Sequence, residues 1–210
     1  MKSEIRIHGR GGQGVVTLAE LIAIAAFFEG KNVQAFPSFG VERRGAPIES
    51  YVRISDHEII RHDQIRNPDH LIILDDTLLA NHDLYRGLDK GDIVLINSCH
   101  TDDELKRDFA IYPDISILGL NATSIGIKYI GKPIINTAIL GAFSSSTGLI
   151  SFNSVKKALK EKFSGEVLNK NIAMALEAFN IYSKRKLSLP RSCPIRPIKV
   201  SEDYKVNIIS

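Results

Sequence analysis

Apolar and polar positions follow two periods along the chain, and their alternation predicts the elements. Residues 4–8 alternate and read as a first strand. A glycine-dense turn follows at residues 9–14. Residues 15–28 are almost wholly apolar, with Glu20 the only charge. That run is too long for a typical strand, so it predicts a buried helix stopped by Gly30. Residues 32–36 form the next strand, closed by Pro37, and residues 37–47 hold no period and form a loop. Residues 49–54 alternate again, and Asp56-His57 turns them towards residues 58–60, which predicts a hairpin.

Short apolar runs at residues 71–74, 93–96 and 115–118 have the continuous character of buried central strands. Between and after them the pattern turns helical. Helices are expected over residues 77–85, from a Thr101 or Asp102 cap to Phe109, from Asn121 towards Ile130, and over residues 136–143. Two more run from an Asn153 or Ser154 cap to Phe163, and from about Val167 to Lys184. Strand and helix alternate through most of the chain. The expected fold class is therefore α/β: a three-layer α/β/α arrangement around a mostly parallel, doubly wound sheet. Residues 1–186 make one domain. Residues 187–210, with three prolines in the eight residues from Pro190, make an extended basic tail.

Composition narrows the function classes. The chain has 210 residues, 44% hydrophobic and 24% charged, which fits one globular domain. The net charge of +3 is unevenly spread. Residues 184–210 carry a net +5, which leaves the body at −2. No broad basic face emerges, so nucleic acid is not an expected partner. No apolar run reaches the ~20 residues that span a bilayer, and the first residues lack a secretory apolar region, so a cytoplasmic protein is expected. Two cysteines, Cys99 and Cys193, fall short of the four thiolates an iron–sulfur cluster usually needs. The six histidines show no metal-ligand spacing.

Gly9-Arg10-Gly11-Gly12-Gln13-Gly14 matches G-x-G-x-x-G between a strand and a helix. Glycine permits positive φ and close backbone approach, and the helix N-terminus offers N–H groups to an anion. A dinucleotide site also needs an acid about 20 residues further on. Here that place reads Gln34-Ala35-Phe36-Pro37. Three readings stay open for the turn: an NAD(P) site of a stand-alone oxidoreductase, close packing of strand on helix, or contact with another anion or a partner chain. In the next loop, Glu42, Arg43 and Arg44 stand between glycines and prolines. Their arginine forks suit carboxylates and phosphates. A solvated charge cluster is the alternative.

Taken together, residues 5–17 and the stretch Gln34-Ala35-Phe36-Pro37-Ser38-Phe39-Gly40-Val41-Glu42-Arg43-Arg44-Gly45-Ala46-Pro47 resemble the gamma subunit of 2-oxoacid:ferredoxin oxidoreductases. The likeness is greatest to the pyruvate/2-oxoisovalerate branch, the pyruvate synthases. Asn136-Thr137-Ala138-Ile139-Leu140-Gly141-Ala142 fits that family's later asparagine-containing helix. The resemblance implies a domain like the third domain of pyruvate:ferredoxin oxidoreductase, working with alpha, beta and delta subunits. The complex would convert a 2-oxoacid to acyl-coenzyme A, using thiamine diphosphate, Mg and [4Fe–4S] clusters held mainly by the sister subunits, and pass electrons to ferredoxin. It implies no catalytic side chain, metal or resident cofactor in this chain. The residues it suggests for contact with a cofactor are Gly9, Gly11, Gly12, Gln13, Gly14, Glu42, Arg43, Arg44 and Asn136.

Overall fold

The computed structural model describes residues 2–38, 45–108 and 114–188. Strands β1 (Lys2–Arg10), β2 (Asn32–Pro37), β3 (Pro47–Ser55), β4 (His70–Ile73), β5 (Ile93–Asn97) and β6 (Ser116–Leu120) form one sheet, in the order β2-β3-β1-β4-β5-β6. β1, β4, β5 and β6 are parallel neighbours. β3 lies antiparallel to both β1 and β2, so among the described strands it alone runs against the rest.

One face of the sheet presents Ile5, Ile7, Val52, Ile72 and Leu95. On it lie helices α1 (Val15–Phe27), α3 (Ala122–Ile130), α4 (Asn136–Thr147), α5 (Phe152–Lys162) and α6 (Gly165–Ser188). α1 carries little polar surface because it is buried between sheet and helices, and each fully enclosed Leu or Ile there contributes about 2 kcal/mol of burial. The opposite face presents Leu71, Ile73, Val94, Ile96 and Ile117. It is covered by Leu105 of α2 (Asp102–Asp108) and by Leu78, Leu84 and Tyr85 of a thinner layer. This is the expected three-layer α/β/α architecture.

Several local expectations are corrected. Residues 77–85 form two 3₁₀ turns, Asp76–Ala80 and His82–Tyr85, instead of one helix. The side chains of Asp75 and Asn81 accept the N–H groups of Thr77 and Asp83, and such side-chain bonds compete with helix continuation. The hairpin between residues 49–54 and 58–60 does not form. Both edges of β3 are already paired, and Arg53 donates to the carbonyls of Arg61 and Asp63, drawing that segment across the sheet face. Ser151, not Asn153 or Ser154, caps α5, and the N–H it receives is that of Ser154. α2 ends at Asp108, and Phe109 lies outside the described residues. α6 continues to Ser188, into the first two residues of the expected tail. The remainder of the tail, residues 189–210, lies outside the described residues.

Candidate functional site at the switch point of the sheet

After β1 the chain leaves to α1 on one face. After β4 it leaves to the 3₁₀ turns on the other. The carboxyl ends of β1 and β4 therefore flank the crevice where open α/β sheets carry their sites. The glycine turn fills the β1 side. A Cβ at Gly9 would lie 2.6 Å from Val15 Cγ2, so this glycine lets strand and helix meet closely. Gly14 is the N-cap of α1, at φ +81°, and a Cβ there would lie 2.9 Å from Asn136 Nδ2. Asn136 is buried at the start of α4, and its Oδ1 accepts the Thr137 N–H at 2.9 Å. The fold thus brings Asn136 and Gly14, 122 residues apart, into contact.

Gln13 is engaged at both ends of its amide. Its Oε1 accepts the Arg10 N–H and its Nε2 donates to Asp75 Oδ2, each at 2.7 Å. Arg10 reaches over the same carboxylate, with Nε 3.3 Å from Asp75 Oδ2 and Nη2 donating to Thr77 Oγ1 at 2.8 Å. Burial alone would raise the Asp75 carboxyl. Hydrogen bonds from Thr77 and Gln13, with the Arg10 charge, hold it below the usual carboxylate range. Arg10, Asp75 and Thr77 were not singled out by the sequence. In the sequence this place shows only as Asp75-Asp76 directly after the apolar run of residues 71–74.

Glu42, Arg43 and Arg44 lie outside the described residues. The segment's two ends are described, and both are tied down. Ser38 donates its N–H to the Glu49 carbonyl and accepts from Gln64 at its hydroxyl. At the other end Gly11 N–H donates to Ala46 O at 3.0 Å, Gly45 N–H to Gly11 O at 3.3 Å, and Arg10 Nη1 to Gly45 O at 3.1 Å. The glycine turn and the exit of the charged segment are therefore joined by backbone.

Beside this edge the sheet face over β1, β2 and β3 is polar. Arg53, 1% exposed, is held by Glu4, Gln34 and Asp63. His8 is buried next to Arg6. Burial first, then the Arg6 charge, push its imidazole down to about 3. Burial and the hydrogen bond to Glu49 push the Tyr51 phenol up to about 12. Among the described residues no group of three His, Cys, Asp or Glu side chains could hold a metal, and no helix is long and apolar enough to cross a membrane. Cys99 is exposed as a free thiol, and Cys193 lies outside the described residues. A surface groove of about 380 Å³ between α3 and α6, lined by Tyr129, Leu176, Glu177 and Ile181 among others, includes no residue of the glycine turn.

The geometry is unlike that of a dinucleotide site. In such sites the second strand neighbours the first, and its acid reaches the ribose. Here β3 separates β2 from β1, and the end of β2 carries no acid.

Comparison with known proteins bears on the family and the fold. The profile of the pyruvate ferredoxin/flavodoxin oxidoreductase family matches residues 4–181. The chain is 49% identical over 177 residues to the pyruvate/ketoisovalerate oxidoreductases common subunit gamma of Thermococcus kodakarensis, covering 84% of this chain and 95% of that one. It is 42% identical over 186 residues to pyruvate synthase subunit PorC of Methanothermobacter thermautotrophicus, covering 89% and 99%. The crystal structure of pyruvate oxidoreductase subunit PORC from Thermotoga maritima superposes with a TM-score of 0.76 at 31% identity, over 85% of this chain and 96% of that one. This chain therefore belongs to the pyruvate ferredoxin/flavodoxin oxidoreductase family, as a gamma subunit of its pyruvate synthase branch.

Proposed function

We propose that this gamma subunit walls the reaction chamber of a multi-subunit 2-oxoacid:ferredoxin oxidoreductase and shapes the entry path of coenzyme A. The alpha, beta and delta subunits are its partners, and they hold the thiamine diphosphate, Mg and [4Fe–4S] clusters. Ferredoxin takes the electrons, the assembly is cytoplasmic, and the isolated chain is inactive. Two cysteines cannot supply the four thiolates of a cluster, so the donor set of this chain does not fit one. Thiamine diphosphate, bound by the sister subunits, supplies the carbanion chemistry. This chain's share is to exclude water and orient the acceptor thiol carrier.

The observation that carries the reading is the backbone ladder between Gly11 and residues 45–46. It sets the exit of the Glu42–Arg43–Arg44 segment beside the uncapped N-terminus of α1. Arginine forks and helix N–H groups together suit the phosphates of coenzyme A. In a reconstituted complex, the Arg43→Ala and Arg44→Ala double variant is expected to raise the coenzyme A KM about tenfold with assembly intact.

A second reading has its own support. Gln13 and Arg10 spend their polar groups inside the chain, as they would in a purely structural joint between subunits. Loss of assembly by the same double variant, seen by size exclusion, favours that reading.

A further inference from the structure

We propose that Arg10 is a positioning residue that locks the glycine turn, the exit of the charged segment and the end of β4 into one unit. The inference rests on the reading that coenzyme A uses this edge of the sheet. Its physical basis is the reach of one guanidinium. Nη1 donates to the Gly45 carbonyl at 3.1 Å, Nη2 to Thr77 Oγ1 at 2.8 Å, and Nε faces Asp75 Oδ2 at 3.3 Å. Three chain segments that are remote in sequence thus share one rigid, planar donor group. Lysine, with a single ammonium, cannot span them in the same way.

Two features make the lock more than surface decoration. First, Asp75 is mostly buried, with its side chain 14% exposed, so its charge is not covered by water alone. Arg10 and Gln13 cover it. Without Arg10 a carboxylate faces the mouth of the turn where an anionic ligand would approach, and like charges repel there. Second, the segment exit meets the turn at the open end of the β1–β3 pairing. The two backbone bonds between Gly11 and residues 45–46 are the last step of the β1–β3 ladder, beyond the Arg10–Pro47 pair, and Gly45 itself sits at φ +81°. The end of a ladder frays first unless a side chain holds it, and the Gly45 carbonyl at this end is held by Arg10. Arg10 touches no reacting group. It acts through the residues it holds.

The test uses the assembled complex carrying Arg10→Ala, with hydrogen exchange followed at Gly11 and Gly45 and steady-state kinetics measured in parallel. Exchange at both amides is expected to accelerate about tenfold. The coenzyme A KM is expected to rise about tenfold while kcat changes less than about twofold. Arg10→Lys is expected to recover little of either effect. Unchanged exchange overturns the lock. Accelerated exchange with an unchanged coenzyme A KM overturns the positioning role. If Arg10→Ala fails to assemble, Thr77→Val removes one strut and is read by the same two measurements. The Arg43→Ala and Arg44→Ala double variant separates this proposal from the reading beneath it. An unchanged coenzyme A KM there refutes the coenzyme A site, while the exchange measurement on Arg10→Ala still decides the lock.

Discussion

At the scale of single residues, the chemistry of this chain depends on where the sheet register places polar groups. Glycine spacing made the turn legible in the sequence, because positive φ at Gly14 and close packing at Gly9 are local demands. The role of Arg10 was not legible. It requires Gly45 and Thr77 to be brought beside it, and only tertiary structure does that. His8 was equally silent, as one of six scattered histidines. Its burial yields a pH prediction. Its folded value is lowered from 6.5 to about 3, so the unfolded chain binds the proton more readily throughout that window. Stability is therefore intact above pH 6.5 and is lost as pH falls towards 3. Urea denaturation should show wild type losing about 2 kcal/mol between pH 7.5 and pH 5 that the His8→Gln variant does not lose. Parallel pH profiles for the two would show that His8 is not the titrating group. The charged groups facing the ring are Arg6 and Glu49, whose Oε1 lies 3.5 Å from His8 Nδ1.

Among the elements, periodicity sufficed wherever burial was continuous. α1, β4 and β5 were readable because neighbours enclose them and the apolar run is long or unbroken. Elements set by side-chain bonds were not readable. The 3₁₀ turns follow from Asp75 and Asn81 acting as local acceptors, and the absent hairpin follows from Arg53 holding the carbonyls of Arg61 and Asp63. Helix contact makes a further prediction. α4 and α6 cross so closely that a Cβ at Gly141 would fall on the Ala175 carbonyl oxygen. Helix propensity alone would favour Gly141→Ala by about 1 kcal/mol. The overlap costs about 3 kcal/mol, because backbone rather than a flexible side chain must move. A net loss of about 2 kcal/mol in unfolding free energy is expected, read as a lower urea midpoint. A gain in stability would mean that the two helices separate freely.

For the whole molecule, the charge distribution and the sheet topology matter most. The body is slightly acidic, and the excess positive charge lies in the last 27 residues. The family profile ends at residue 181, and α6 takes Lys184, Arg185 and Lys186 on to Ser188, which leaves four cations and two carboxylates in residues 189–210. Deleting residues 189–210 is expected to weaken assembly with the sister subunits while leaving the urea midpoint of the domain unchanged, and size exclusion at raised and lowered salt would read it. Equal assembly with and without these residues would remove the docking role.

The inverted β3 also limits what this scaffold can be re-engineered to do. Adjacent strands lie about 4.8 Å apart, so two steps place the tip of β2 about 10 Å sideways from the glycine turn. Grafting an aspartate onto Phe36 or Pro37 would supply the missing acid on paper, yet it would stand a whole strand too far out to grip an adenosine ribose. A protein engineer seeking NADH affinity would have to excise the intruding ribbon first, and with it the Ile5–Val52 pair that lies beneath the helices.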